Sequence, residues 1–362
     1  MRRARWLAPW KDSLEKPAIY HCVSRVVDRR FVFGEEEREK FRILMRKYES
    51  FSGCRALAYC VMSNHFHLLL EVPPMPQGGL SDEQLLERLR AIYQEGVVEE
   101  VAKQLQDARA KNMTTWAQQI HQRYEYRMHD LSQFMKTLLQ CMTCWFNRRH
   151  ERKGTLWEER YRSVIVEDGI AARMISAYID LNPVRAGMVK DPAEYRWSSY
   201  GEALGCGDRK KGKKAREGLV RACTGHKGVG FEEEKWQEVE VMYRRLLGMA
   251  LRRKGGALSE NVAKERTSMS SMGEKSAVQS DDIGSGAEYQ ELRLAEKLGY
   301  RMRYFTAGAV IGSRSFVNEV FMQARERFSA KRKDGARALK GLPQEARGLL
   351  WSMRDLRQPM KK

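Results

Sequence analysis

The 362-residue sequence has no apolar run approaching the roughly 18 residues that a membrane-spanning helix needs. Its first residues, Met1-Arg2-Arg3-Ala4-Arg5-Trp6, are basic, but no apolar h-region or small-residue cleavage site follows, so secretion is not expected. Cysteine is scarce: seven residues, an odd number without framework spacing, exclude a disulfide scaffold and point to a reducing, cytoplasmic setting. No internal repeat is present. Negative charge is also short. Sixty-six Lys and Arg face 47 Asp and Glu, leaving a formal net charge of +19, and a surplus of that size favours a polyanionic partner, nucleic acid first. With 42% hydrophobic residues the chain can nonetheless build a core, and its length suits about two domains at roughly 150 residues each.

Residues 17–33 read as extended chain, with Ile19, His21 and Val23 alternating against Tyr20, Cys22 and Ser24. The period then changes to a helix over 35–48, where Phe41, Leu44, Met45 and Tyr48 share a face and Glu35, Glu36 and Glu37 suit the first turn. Two apolar runs, 56–62 and 65–72, flank Ser63-Asn64 as a hairpin. Residues 77–127 read as a helical insertion. A long helix is expected from Asp130 to about His150, burying Leu131, Phe134, Leu138, Cys141, Met142 and Trp145. A strand over 161–167 follows, then a helix over 168–181 that ends before Pro183. Residues 205–218 have the Gly/Lys/Arg texture of a linker and 262–286 are rich in Ser, Met and Gly, with a helix expected at about 231–253 between them. Helical patterns at 289–298 and 315–328, joined by Gly308 to Ser313, suggest a helix-turn-helix-like accessory module or a packing appendage. The expected domains are therefore 1–204, a linker region 205–286, and a helical module 287–362.

Two segments have chemical potential. In His65-Phe66-His67, strand alternation sends both imidazoles to one face and Phe66 to the other, which makes two possible metal ligands or simply two strand histidines satisfied by neighbours. Tyr178 and Asn182 are four residues apart on a helix, so a phenol and an amide oxygen could address one phosphate, or be a half-buried Tyr and a helix-closing Asn. Cys141 and Cys144 have zinc-like spacing without a second pair, and suit a core position better.

Together these segments resemble the single-tyrosine HUH transposases, in particular the REP-associated tyrosine transposases. The resemblance spans residues 17–200. It rests on Tyr20-His21-Cys22-Val23-Ser24-Arg25, on Met62-Ser63-Asn64-His65-Phe66-His67-Leu68-Leu69, and on Phe146-Asn147-Arg148-Arg149-His150 with Gly154-Thr155-Leu156-Trp157. Arg160-Tyr161-Arg162-Ser163, the run from Tyr178 to Gly187, and Trp197-Ser198-Ser199-Tyr200 complete it.

The resemblance implies an α+β fold, an antiparallel sheet flanked by helices with a ferredoxin-like core, here carrying a helical insertion and a mainly helical C-terminal extension. It implies that His65, His67 and Asn182 hold a divalent metal, Mg²⁺ or Mn²⁺, and that Tyr178 is the nucleophile. The implied partner is single-stranded DNA beside a hairpin, handled by a monomer or a homodimer. Arg148, Arg149, Arg152 and Lys153, with Arg25, Arg160, Arg162 and Arg185, are the candidate DNA-binding residues; the helix-end cluster also suits a solvated C-terminus. The alternative is a DNA-binding regulator on the same scaffold with a vestigial site. RNA binding is compatible with charge alone.

Overall fold

The computed structural model describes residues 6–205, 212–225, 233–252, 295, 298, 304–339 and 348–353. The chain divides into two compact units, Met1–Val166 and Glu167–Lys362.

The first unit is built from β1 (Ala18–Arg25), α1 (Glu35–Ser52), β2 (Arg55–Val61), β3 (His65–Val72), α2 (Asp82–Arg90), α3 (Glu95–Ala110), α4 (Thr114–Glu125), α5 (Leu131–Arg149) and β4 (Arg162–Val166). Its strands run β2-β3-β1-β4, and every pairing is antiparallel. With α2 to α4 set aside, β1-α1-β2-β3-α5-β4 is a split βαβ, ferredoxin-like arrangement. The fold is thus α+β, with helices against an antiparallel sheet. One sheet face carries Tyr20, Cys22, Phe66, Leu68 and Leu70, and it is the face that meets the helices: the Phe41 ring of α1 lies 4.5 Å from Phe66, and Trp157 lies 5.6 Å from it. Period-two alternation turns the opposite face over to His21, Val23, Arg25, His65 and His67.

Local chemistry fixes where these helices start. The Glu37 carboxylate accepts from the Gly34 backbone N–H at 2.7 Å, closing the N-terminus of α1. Asp130 caps α5 by accepting from Gln133 N–H at 2.7 Å. Along α5 the buried stripe is Leu131, Phe134, Met135, Leu138, Met142 and Phe146. Trp145, expected in that stripe, is instead half-buried beneath the Lys40 ammonium, because Phe146 takes the inward position beside Phe33. The insertion expected over 77–127 is three helices. They are tied together by Asp82, which accepts from Arg109 at 2.7 Å and lies 2.8 Å from His121.

The second unit contains α6 (Ile170–Asp180), α7 (Asn182–Arg185), α8 (Ser199–Leu204), α9 (Lys213–Thr224), α10 (Glu233–Arg252), α11 (Tyr304–Ala307), β5 (Val310–Gly312), α12 (Arg314–Gln323), β6 (Arg337–Ala338) and β7 (Trp351–Ser352). β7 pairs antiparallel with both β5 and β6. α6 ends at Asp180, before Pro183 as expected, and Pro183 sits in the first turn of the separate short helix α7, where its missing N–H needs no helical partner. Two other expectations are corrected here. The linker texture at 205–218 conceals the start of α9, whose Ala215, Leu219 and Ala222 are buried at helical spacing. The connection from Gly308 to Ser313 is no helix-turn-helix turn, since the β-branched pair Val310-Ile311 forms the buried strand β5. The Ser/Met/Gly-rich stretch 262–286 lies outside the described residues, as does the expected helix 289–298 apart from Ala295 and Leu298. Among the described residues no helix is long and apolar enough to cross a membrane.

Phe66 is fully buried between α1 and Trp157. Phe66→Ala is expected to destabilise the first unit by about 3–5 kcal/mol, read as a lowered midpoint in urea denaturation.

Candidate functional site

The register of β1 on β3 places Val23 opposite His67 and Arg25 opposite His65, so both predicted histidines share a face with His21. The His65 and His67 ring centroids are 5.1 Å apart. His67 Nδ1 lies 3.0 Å from His21 Nε2, and both residues are buried. His65 Nδ1 lies 2.7 Å from Asn64 Oδ1. An amide oxygen only accepts, so the His65 proton sits on Nδ1 and Nε2 keeps its lone pair. A proton on His67 Nδ1, donated to His21, leaves the His67 ring in the same tautomer. Metal-binding imidazoles are oriented in this way by a bond to their second nitrogen. Burial, aided by the Arg25 charge, pulls the His65 pKa down to about 4, which keeps the ring neutral and able to ligate near pH 7.

The two histidines therefore fit a divalent cation as a pair. Among the described residues no group of three His, Cys, Asp or Glu side chains is arranged to hold one. His21 belongs to the group, although the sequence does not single it out. Alternation puts it on one face of β1, and only the strand register reveals that the face is shared. Cys141 does not build a metal site either: its Sγ lies 3.0 Å from the Tyr48 hydroxyl, and Cys144 is exposed.

The other predicted residues lie in the second unit. Tyr178, on α6, is half-buried, with Phe305 of α11 edge-on at 5.0 Å and the Arg185 guanidinium 4.9 Å over its ring. Arg185 also donates to the Tyr178 carbonyl at 3.2 Å and to the Leu298 carbonyl. The ring is thus held from two sides, by a cation–π contact and an aromatic edge. Phe305 carries no sequence signal for this role. Asn182 opens α7, and its side-chain Nδ2 is buried without a hydrogen-bond partner.

Between Tyr178 and Asn182 sits Asp180, fully buried. Its carboxylate accepts from the Tyr243 hydroxyl at 2.7 Å, Ser199 Oγ at 3.0 Å and the Tyr200 N–H at 3.1 Å. Burial pushes its pKa up to about 6 against the pull of those donors. This carboxylate joins α6 to α8 and α10, and so fixes the helix that carries Tyr178.

The candidate DNA-binding cations divide by environment. Arg148, Lys153 and Arg160 are exposed. Arg149 pairs with Glu36 at 3.0 Å, and Arg162 with Glu159 at 3.5 Å, both across exposed side chains where such pairs contribute little. Arg152 donates to Thr155 O at 3.0 Å, and Arg25 is half-buried opposite His65. Arg185 is engaged with Tyr178.

Asp180→Ala would strand three buried donors, at about 1–3 kcal/mol each. The expected loss is about 3 kcal/mol or more in denaturant unfolding, and Asp180→Asn, which retains one acceptor oxygen, should lose less.

Two comparisons with known proteins give a match. The family model for IS200-like transposases matches residues 16–118. A solved structure of a REP-associated tyrosine transposase bound to a REP hairpin is similar at 13% identity; the match covers 58% of this chain and 92% of that chain, with a TM-score of 0.34. No curated protein matches. Over residues 16–118 the chain is accordingly recognised as similar to the IS200-like transposases.

Proposed function

We propose that the protein is a metal-dependent, single-tyrosine endonuclease and strand transferase of the REP-associated type, acting on single-stranded DNA beside a hairpin. The observation that supports this most is the placement of His65 and His67 on one strand face, where each Nδ1 has a bonding partner and each Nε2 is left available to a metal. His65 and His67 would hold Mg²⁺ or Mn²⁺ with Asn182 as the oxygen donor, a mixed set suited to Mn²⁺ and acceptable to Mg²⁺. When bound, such a cation neutralises charge on a non-bridging phosphate oxygen as the phosphodiester rearranges.

The chain's own residues supply the rest. The Tyr178 phenol loses its proton, and its oxygen forms a bond to phosphorus. The bond from phosphorus to the 3′ oxygen breaks, and that oxygen leaves as a 3′-hydroxyl after taking up a proton. The product is a 5′-phosphotyrosine, and attack by another 3′-hydroxyl reverses the step and joins strands without ATP. Phenols ionise near pH 10 in water, so an unassisted Tyr is a weak nucleophile at neutral pH. Arg185, lying over the ring, restricts where the ring sits.

The test is an oligonucleotide with a hairpin and single-stranded flanks, incubated with Mn²⁺. A denaturant-resistant protein–DNA adduct is expected, abolished by Tyr178→Phe and reduced at least tenfold by His67→Ala. A shifted band with an intact strand would instead assign the chain to DNA-binding regulation. Binding should weaken with salt at a log–log slope of about −0.7 per phosphate contacted, and a slope near zero would remove any nucleic-acid role.

A further inference from the structure

The loop between β1 and α1 has a feature that the strand-cutting reading leaves unused. Phe31 is 82% exposed, the most exposed large apolar side chain among the described residues. Two residues later, Phe33 is buried against Phe146 and Trp157. Hydrophobic burial alone would favour covering both rings.

The loop is also fixed rather than slack. Val26 N–H bonds Asn64 O and Phe33 N–H bonds Ser63 O, both at 2.9 Å, tying its two ends to the β2–β3 turn. In between, Val27 N–H bonds Leu156 O at 3.0 Å, and the Asn64 side-chain amide donates to Arg29 O at 2.9 Å. Asp28 and Arg29 adopt φ values of 57° and 56°, a left-handed conformation that non-glycine residues rarely hold without outside support. Those bonds supply the support, and the outcome is an aromatic ring presented to solvent between Arg30 and Val32.

Charge indicates what the ring faces. Arg29 and Arg30 are both exposed beside it, and the Arg29 guanidinium is only 3.9 Å from Glu158, a loose exposed pair. An exposed aromatic flanked by cations on a rigid backbone suits unpaired bases, which offer a π-face for stacking and a phosphate within reach of each arginine. Inside a duplex no such face is offered, because each base is already stacked on both sides. Asn64 connects this loop to the candidate metal pair, since the same side chain that donates to Arg29 O lies 2.7 Å from His65 Nδ1.

We infer that Phe31, with Arg29 and Arg30, is a stacking site for a base of single-stranded DNA next to the His65–His67 pair. This rests on the single-strand reading above and adds where the unpaired strand is gripped. Arg29 and Arg30 contact phosphates on either side of the stacked base.

The test compares fluorescence-anisotropy titrations of one hairpin with a thymidine flank, the same hairpin blunt, and the flanked hairpin as RNA. Phe31→Ala, at an exposed position, leaves the fold intact. It is expected to weaken binding of the flanked DNA roughly 5- to 150-fold, the range for loss of one base–aromatic stack, and to leave the blunt hairpin unchanged. Phe31→Trp should restore affinity and quench 2-aminopurine at one flank position. The salt slope should be unaltered in Phe31→Ala, and in Arg30→Ala it should be shallower by about 0.7 for each phosphate that the arginine neutralises. Flanked-DNA binding that is tight in the wild type and unchanged in Phe31→Ala overturns the site alone. Equal losses on flanked and blunt DNA also overturn it, as does a stronger Phe31 dependence on RNA than on DNA. Failure of the wild type to bind either DNA takes the proposed function down as well.

Discussion

Antiparallel pairing of β1 with β3 sets the geometry of everything in the first unit. Val23 opposite His67 brings His21 within 3.0 Å of the His67 ring, and Arg25 opposite His65 puts a guanidinium charge beside the second imidazole. Side chains alternate with a period of two, so a slip of one residue would send the histidines into the layer now filled by Phe66, Leu68 and Leu70. That layer cannot receive them. Phe41 and Trp157 already pack on Phe66, and two imidazoles there would lose the Asn64 and His21 bonds that fix their tautomers. The hydrophobic face therefore specifies the polar one.

In the second unit a buried carboxylate takes the organising part. Asp180 gathers donors from α8 and α10 onto the end of α6, two residues from Tyr178. Its raised pKa shows that burial costs more than those bonds return while the group is ionised. A carboxylate held at such expense confers geometry more than stability, since its two oxygens accept three donors from two separate helices at once. The helix it pins is the one whose phenol is clamped between Arg185 and Phe305.

How much of this the sequence discloses depends on whether the relevant signal is local. The shared face of His65 and His67 follows from alternation, and the hairpin before them from Ser63-Asn64 between apolar runs. The caps at Glu37 and Asp130 belong to the same local vocabulary. His21 as a partner for His67 is not local, because register couples residues 46 apart. Phe305 against Tyr178 is further from reach still. α9 is hidden for a different reason: charged residues dominate its first turns, while Ala215, Leu219 and Ala222 form a stripe too small to stand out in composition. At Pro183 the local rule holds, since α6 ends at Asp180 and the proline falls in the first turn of the next helix, where it is tolerated.

Net charge shows the same limit in quantitative form. A surplus of +19 says that anions are favoured somewhere but not which cations meet them. Composition alone counts Arg185 with the phosphate-binding set, yet its guanidinium lies over the Tyr178 ring and donates to two carbonyls. Arg149 faces Glu36 across a solvent-exposed pair, a contact weak enough for a phosphate to displace. Under the proposed reading, the cations whose charge is not already committed to the fold are the ones available to a phosphate. In the first unit these include Arg29 and Arg30, which a loop of unusual backbone conformation holds on the turn toward Phe31. Rigid placement of the backbone matters more there than the number of charges, because a loop already fixed in position loses little conformational entropy on binding.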